Sequence, residues 1–167
     1  MVKQIRFRPI GIIRTQFKKV AGMPIQPRGA KNAGGVIEIF PAYKAGLRDL
    51  SGFSHVILIY HFHKAGRAKL LVTPFMDTQQ RGVFSTRAPC RPNAIGISTV
   101  KLLSVADASL VVEGIDVLDG TPLLDIKPYV PEFDAVRVQK IGWLQHAAGK
   151  AKHARSDNRF AKKKKKE

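Results

Sequence analysis

Apolar and polar positions alternate with period two along much of this chain, which is the spacing of half-buried β-strands. Lys3 to Arg14 opens with Ile5 and Phe7 set against Arg6 and Arg8, and reads as a strand bent or bulged at Pro9 and Gly11. Gly35 to Phe40 returns to strand after Ala21 to Gly35, a long loop rich in Gly, Pro, Arg and Lys. Phe53 to His63 is the most strand-like run, and its apolar density predicts burial on both faces. Leu70 to Met76 and Ala94 to Leu103 read as further strands. Ser109 to Leu118 and Pro122 to Tyr129 flank Asp119-Gly120, a two-residue hairpin signal because glycine tolerates positive φ. Val136 to Trp143 reads as a last short strand. Pro41 to Leu50 reads as a short helix, with proline at its first position and Ser51-Gly52 at its end. Many short strands between turn signals predict an antiparallel β domain, a barrel or sandwich with one or two short helices.

Composition adds a size, a compartment and a partner class. The 167 residues, 44% hydrophobic, suit a single domain with a proper core. One cysteine, Cys90, excludes an intramolecular disulfide and points to a reducing compartment. No apolar run approaches the roughly 20 residues that cross a bilayer, and the start lacks a signal-peptide core, so a cytoplasmic protein without a membrane partner is expected. The formal net charge is +17. Residues 150–167 hold nine Lys/Arg and two acids, +7, leaving 20 basic and 10 acidic residues, +10, in the rest. The body is therefore basic in its own right, and a polyanion such as tRNA is the expected partner. The lysine run at 162–166 repels itself and buries nothing, which predicts a disordered basic tail.

Candidate chemistry concentrates between Arg81 and Ser98, R-G-V-F-S-T-R-A-P-C-R-P-N-A-I-G-I-S. Pro89 and Pro92 stiffen the chain, and Arg81, Arg87 and Arg91 each present a planar fork for a carboxylate or phosphate. A surface loop with solvated arginines would look the same in composition. Dinucleotide and P-loop motifs are absent, and Cys90 has no partner histidine in a nucleophile pattern. His55, His61 and His63 share a parity, but without a third ligand a packing role is favoured over a metal site, and no metal is expected.

The run R-G-V-F-S-T-R-A-P-C-R-P-N-A-I-G resembles the signature of the TsaA/TrmO (VirR-like) family of S-adenosylmethionine-dependent tRNA methyltransferases. Two further blocks follow the same family: Met23 to Arg28 and Asp119 to Tyr129, D-G-T-P-L-L-D-I-K-P-Y. The resemblance covers roughly residues 3 to 135, with Ala94 where the family often has proline and a basic tail where bacterial members often carry another domain. It implies a β-barrel methyltransferase domain over 1–143 and a basic tail over 144–167. It implies S-adenosylmethionine as cofactor, with contacts from Pro24, Ile25 and Gln26, Phe62 and His63, Arg87 and Ile97, and Asp119, Gly120, Thr121 and Pro122. Arg81, Arg91, Asn93, Asp125 and Tyr129 are the implied substrate or RNA contacts. The implied reaction is N6-methylation of threonylcarbamoyl-adenosine beside the tRNA anticodon, by a homodimer with its pocket near the interface. The catalytic residue is unassigned. A non-catalytic RNA-binding barrel and a small-molecule methyltransferase on the same fold are the alternatives.

Overall fold

The computed structural model describes residues 4–30, 32–147 and 153–162. Six antiparallel strands close into a barrel: β1 (Gly11–Thr15), β2 (Gly34–Ile39), β3 (His55–His61), β6 (Ile95–Ala106), β7 (Ser109–Glu113) and β8 (Thr121–Pro128). Their order round the barrel is β1-β2-β7-β6-β3-β8, with β8 returning to β1. A two-stranded ribbon, β4 (Leu71–Val72) with β5 (Arg81–Gly82), stands apart in the long excursion between β3 and β6.

Alternation decides which side chains fill the barrel. Ile13, Ile37, Val56, Leu58, Val100, Leu110, Val112 and Leu123 point inward and form its core with Ile115. Glycines stand where two backbones or a ring come too near for a side chain. A Cβ on Gly11 would lie 2.3 Å from the Glu38 carbonyl oxygen, and one on Gly35 would lie 3.0 Å from Ile115. Irregularities in register at Ile59/Tyr60 and Leu102/Ser104 bend the strands enough to close the wall.

Several expectations are corrected by the closed topology. Asp119-Gly120 is no hairpin: β7 pairs with β2 and β6, while β8 pairs with β1 and β3. Gly120 does take a positive φ of 74°, but it ends a crossover rather than a two-residue loop. β3 buries one face, Val56, Leu58 and Tyr60, and leaves Ile57 and Ile59 half-covered, because a closed sheet has a single inside. The first strand starts at Gly11, so Ile5 and Phe7 lie outside it and are exposed. Leu70 to Met76 contributes only the two residues of β4. Pro41–Leu47 is a 3₁₀ rather than an α-helix, and Val136 to Trp143 forms no strand; a 3₁₀ turn covers Gly142–Ala147. One α-helical turn, Pro131–Asp134, follows β8.

A smaller cluster lies under the excursion, built from Val72, Val83, Ala88, Cys90 and Phe160 with Phe75. Phe160 reaches it from the C-terminal segment, so residues 153–162 of the tail lie against the body of the protein. The lysines at 163–166 fall outside the described residues.

Candidate functional site

The excursion, the β3–β6 edge and the loop before β2 surround one cleft of about 300 Å³, within the range of small-molecule sites. Its walls are mostly apolar: Phe62, Ile95, Ile97, Val117 and Leu118 among others. Gly96 is what keeps it open and packed at once. A Cβ there would meet the Tyr60 ring at 2.3 Å and Phe62 at 2.8 Å, and those rings stack edge-on 5.4 Å apart.

Polar groups in the cleft are few and ordered. Tyr60 donates its hydroxyl proton to Ser98 Oγ at 3.0 Å, and Ser98 donates to Asp116 Oδ1 at 2.7 Å. Since the serine proton goes to the carboxylate, the direction of the relay follows. Among the described residues, Asp116 is the only acid that lines the cleft. Burial raises its pKa to about 6, opposed by the hydrogen bond from Ser98 and more weakly by Arg87. Burial likewise drives the Tyr60 hydroxyl far above its ordinary value, so it stays a neutral donor. His63 sits just past β3, its pKa lowered by burial and by the neighbouring Lys64, His61 and Lys162. The Thr121 hydroxyl donates to the Leu118 carbonyl at 2.6 Å and lies 3.3 Å from His63 Nδ1. A neutral His63 that donates from Nδ1 to Thr121 keeps Nε2 as an acceptor.

The three arginines, alike in sequence, do different work. Arg81 pairs with Asp77 at 2.7 Å and stacks on Trp143 at 5.9 Å, outside the cleft. Arg91 lines the cleft but spends Nη1 on the carbonyls of Thr86 and Ala88, bracing the proline loop. Arg87 is exposed on the rim and touches Gln26 Oε1 at 3.4 Å.

The cleft thus gathers Pro24, Ile25, Gln26, Phe62, His63, Arg87, Arg91, Ile97 and Thr121 from four separate stretches of chain. Other expected contacts stand elsewhere. Asp119 accepts from the Thr15 amide at 3.0 Å and pairs with Lys18 at 2.8 Å, facing a separate surface depression; Gly120 and Pro122 do not line the cleft. Asn93 is exposed in the turn before β6. Asp125 pairs with Lys127 at 2.9 Å, and Tyr129 meets His55 edge-on on the outside of the barrel. Tyr60, Ser98 and Asp116 are site residues that the sequence patterns did not single out. The inward parity of Tyr60 and Ser98 is a signal for two of them, but Asp116 falls within the stretch Ser109 to Leu118 read as strand, whereas β7 ends at Glu113. Among the described residues no group of side chains suits a metal ion, and no helix is long and apolar enough to cross a membrane.

An apolar cleft with one carboxylate inside and one guanidinium at its rim suits a small zwitterion bearing an apolar or aromatic part. This is the arrangement of a small-molecule-binding barrel whose cleft draws groups from barrel strands and from inserted loops alike. Residues 12–135 match the tRNA-methyltransferase O N-terminal domain, and the chain belongs to that family. A probable S-adenosyl-L-methionine-binding protein of Pyrococcus abyssi is 53% identical over 156 residues, 93% of this chain and 85% of that protein. A tRNA (adenine(37)-N6)-methyltransferase of Mus musculus is 38% identical over 76% of this chain, which spans only 31% of the mouse protein. The crystal structure of TrmO from Pseudomonas aeruginosa superposes with a TM-score of 0.71 at 40% identity, over 84% of this chain and 63% of that one.

Proposed function

We propose that the cleft binds S-adenosylmethionine and that the protein methylates N6 of threonylcarbamoyl-adenosine at position 37 of tRNA, the position in the mouse relative's name. The observation that carries this reading is convergence: residues from the Met23–Arg28 block, the Phe62–His63 pair, the arginine stretch and Thr121 all line one cleft. A module that only bound RNA would have no use for a deep, mostly apolar cleft.

The cofactor supplies a methyl group already activated on a sulfonium. Arg87 at the rim takes the ligand's carboxylate, while Phe62 and the acceptor nitrogen of His63 suit an adenine ring and its amino group. Asp116 takes the N6 proton. Among the described residues it is the only lining carboxylate, it is mostly ionised at neutral pH, and the Tyr60–Ser98 relay holds it in place. The apolar walls exclude water and the loops orient the acceptor base, which an anticodon loop can splay out without opening a duplex. Basic residues outside the cleft draw in tRNA phosphate, with salt-dependent strength. The protein acts in the cytoplasm as a homodimer, in keeping with exposed Leu70, Leu71 and Phe84 clustered on the excursion.

Calorimetric titration with S-adenosylmethionine, on the full chain and on Arg87→Ala, tests the site. Saturable binding that weakens about tenfold in the variant supports it. Methyl transfer to tRNA bearing threonylcarbamoyl-adenosine, but not to tRNA with plain adenosine there, supports the substrate. A folded protein that binds RNA and no cofactor would leave the RNA-binding barrel as the better reading.

A further inference from the structure

The C-terminal segment is tied to two separate loops that line the cleft. At one side, Ser156 threads into the loop before β2. Its amide donates to the Met23 carbonyl at 2.8 Å, its carbonyl accepts from the Gly22 amide at 2.7 Å, and its hydroxyl accepts from the Met23 amide at 3.0 Å and donates to the Val20 carbonyl. At the other side, Phe160 is buried against Phe75, ring centroids 5.0 Å apart, among Val72, Val83, Ala88 and Cys90. Its carbonyl accepts from the Gly66 amide at 2.8 Å and from Cys90 Sγ at 3.2 Å. Arg159 ties the same end to the carbonyls of Thr73 and Pro74 and lies over the Phe75 ring. Gly66 makes the approach possible, since a Cβ there would be 3.2 Å from the Ala161 carbonyl oxygen.

Ser156 and Phe160 both line the cleft. Between the two anchors the chain turns at Asn158, where the Ala161 amide donates to the Asn158 carbonyl at 3.1 Å. The two clamped loops are those that carry Pro24 to Gln26 on one side and Phe62 to Ala65 on the other, so the segment sets the distance between two walls. It also lies outside residues 12–135, the part of the chain matched by its family.

We propose that residues 153–162 are a strap that forms the outer wall of the cofactor cleft, with Phe160 as its anchor and Ser156 as its second binding residue. The proposal rests on the cleft being the S-adenosylmethionine site. The strap holds the ligand by closing the mouth. By linkage, the bound ligand holds the strap shut in return. A segment merely parked on the surface for stability would show no such reciprocity.

The test titrates S-adenosylmethionine into the full chain, Phe160→Ala, Phe160→Leu, a chain ending at residue 152, and a chain with Lys163 to Lys166 replaced by serine. Hydrogen exchange at the Gly22, Met23 and Gly66 amides is followed with and without the ligand. The strap predicts at least about tenfold weaker binding for Phe160→Ala and for the truncation, near-full rescue by Phe160→Leu, and no change on replacing the lysines. It also predicts that the ligand slows exchange at all three amides in the full chain and at none in the truncated one. Full-strength binding by a folded truncated chain, or exchange indifferent to ligand, overturns the strap while leaving the cofactor site standing. A full chain that binds no S-adenosylmethionine overturns the site itself, and the strap's role with it.

Discussion

The barrel and the excursion between β3 and β6 are built on different principles. In the barrel every strand is paired on both sides, and a continuous apolar core locks the register through side-chain parity. The excursion has a two-residue ribbon and a small cluster that stays incomplete until Phe160 arrives from the far end of the chain. Side chains hold its backbone instead: Thr86 Oγ1 donates to Val83 and accepts from the Ala88 amide, Arg91 braces two carbonyls, and Trp143 donates to the Ser85 carbonyl at 2.9 Å. The rigid half supplies Tyr60, Gly96 and Ser98, while the braced half supplies Arg87. A binding site laid across that seam has one wall of fixed shape and another that can be adjusted by residue changes without unfolding the domain.

The sharpest break in the comparison is thermodynamic. Leu58→Ala, in the barrel core, is expected to lower unfolding stability by about 3–4 kcal/mol, whereas Phe160→Ala should cost only about 1 kcal/mol globally, because the strap can detach locally. Urea unfolding of the two variants checks this, and equal losses would mean that barrel and excursion unfold as one unit. Next in size is Asp116. Its folded pKa is raised from 3.8 to about 6, so the folded state holds a proton that the unfolded chain releases between those values. The associated stability is present below about pH 4 and lost as pH rises through 6, on the order of 3 kcal/mol. Asp116→Asn should flatten that slope, be the more stable protein at pH 7, and slow methyl transfer by at least about a hundredfold. Urea midpoints across pH 4–7 read the first two effects and initial rates the third.

Smaller effects separate the arginines. Arg87→Ala is expected to weaken cofactor binding about tenfold with the melting temperature unchanged, while Arg81→Ala lowers the melting temperature and leaves affinity within about twofold. Calorimetry and thermal melts on both variants decide it, and the reverse pattern would exchange their roles. Least of all, replacing Lys163 to Lys166 should reduce the salt slope of tRNA binding by about one for each phosphate these lysines neutralise, as filter binding at several salt concentrations would show.

Most barrel strands can be read from alternation alone, because inside and outside differ chemically at every second residue. β6 and β8 fall within a few residues of the bounds that signal predicts. What alternation does not convey is pairing. Ser109–Glu113 and Thr121–Pro128 are adjacent in sequence with an Asp-Gly between them, and only closure of the barrel shows that they never meet. Phe62, His63, Arg87 and Thr121 are legible as site residues through the resemblance of their blocks, and they do line the cleft. Asp116 is not, since a lone acid near a turn carries no mark of burial in its own sequence. Nor is Phe160, a single apolar residue among lysines.

The chain's own sequence therefore determined its β character, its basic charge and the family-like blocks that contribute to the cleft, because these depend on residue type and local spacing. Tertiary structure alone decided which strands pair, which arginine stands on the cleft rim, that Asp116 sits on a relay from Tyr60, and that Ser156 and Phe160 of the tail return to line the cleft. Those are contacts between residues tens of positions apart, and their free energies exist only once the barrel has closed and water has been excluded from the seam.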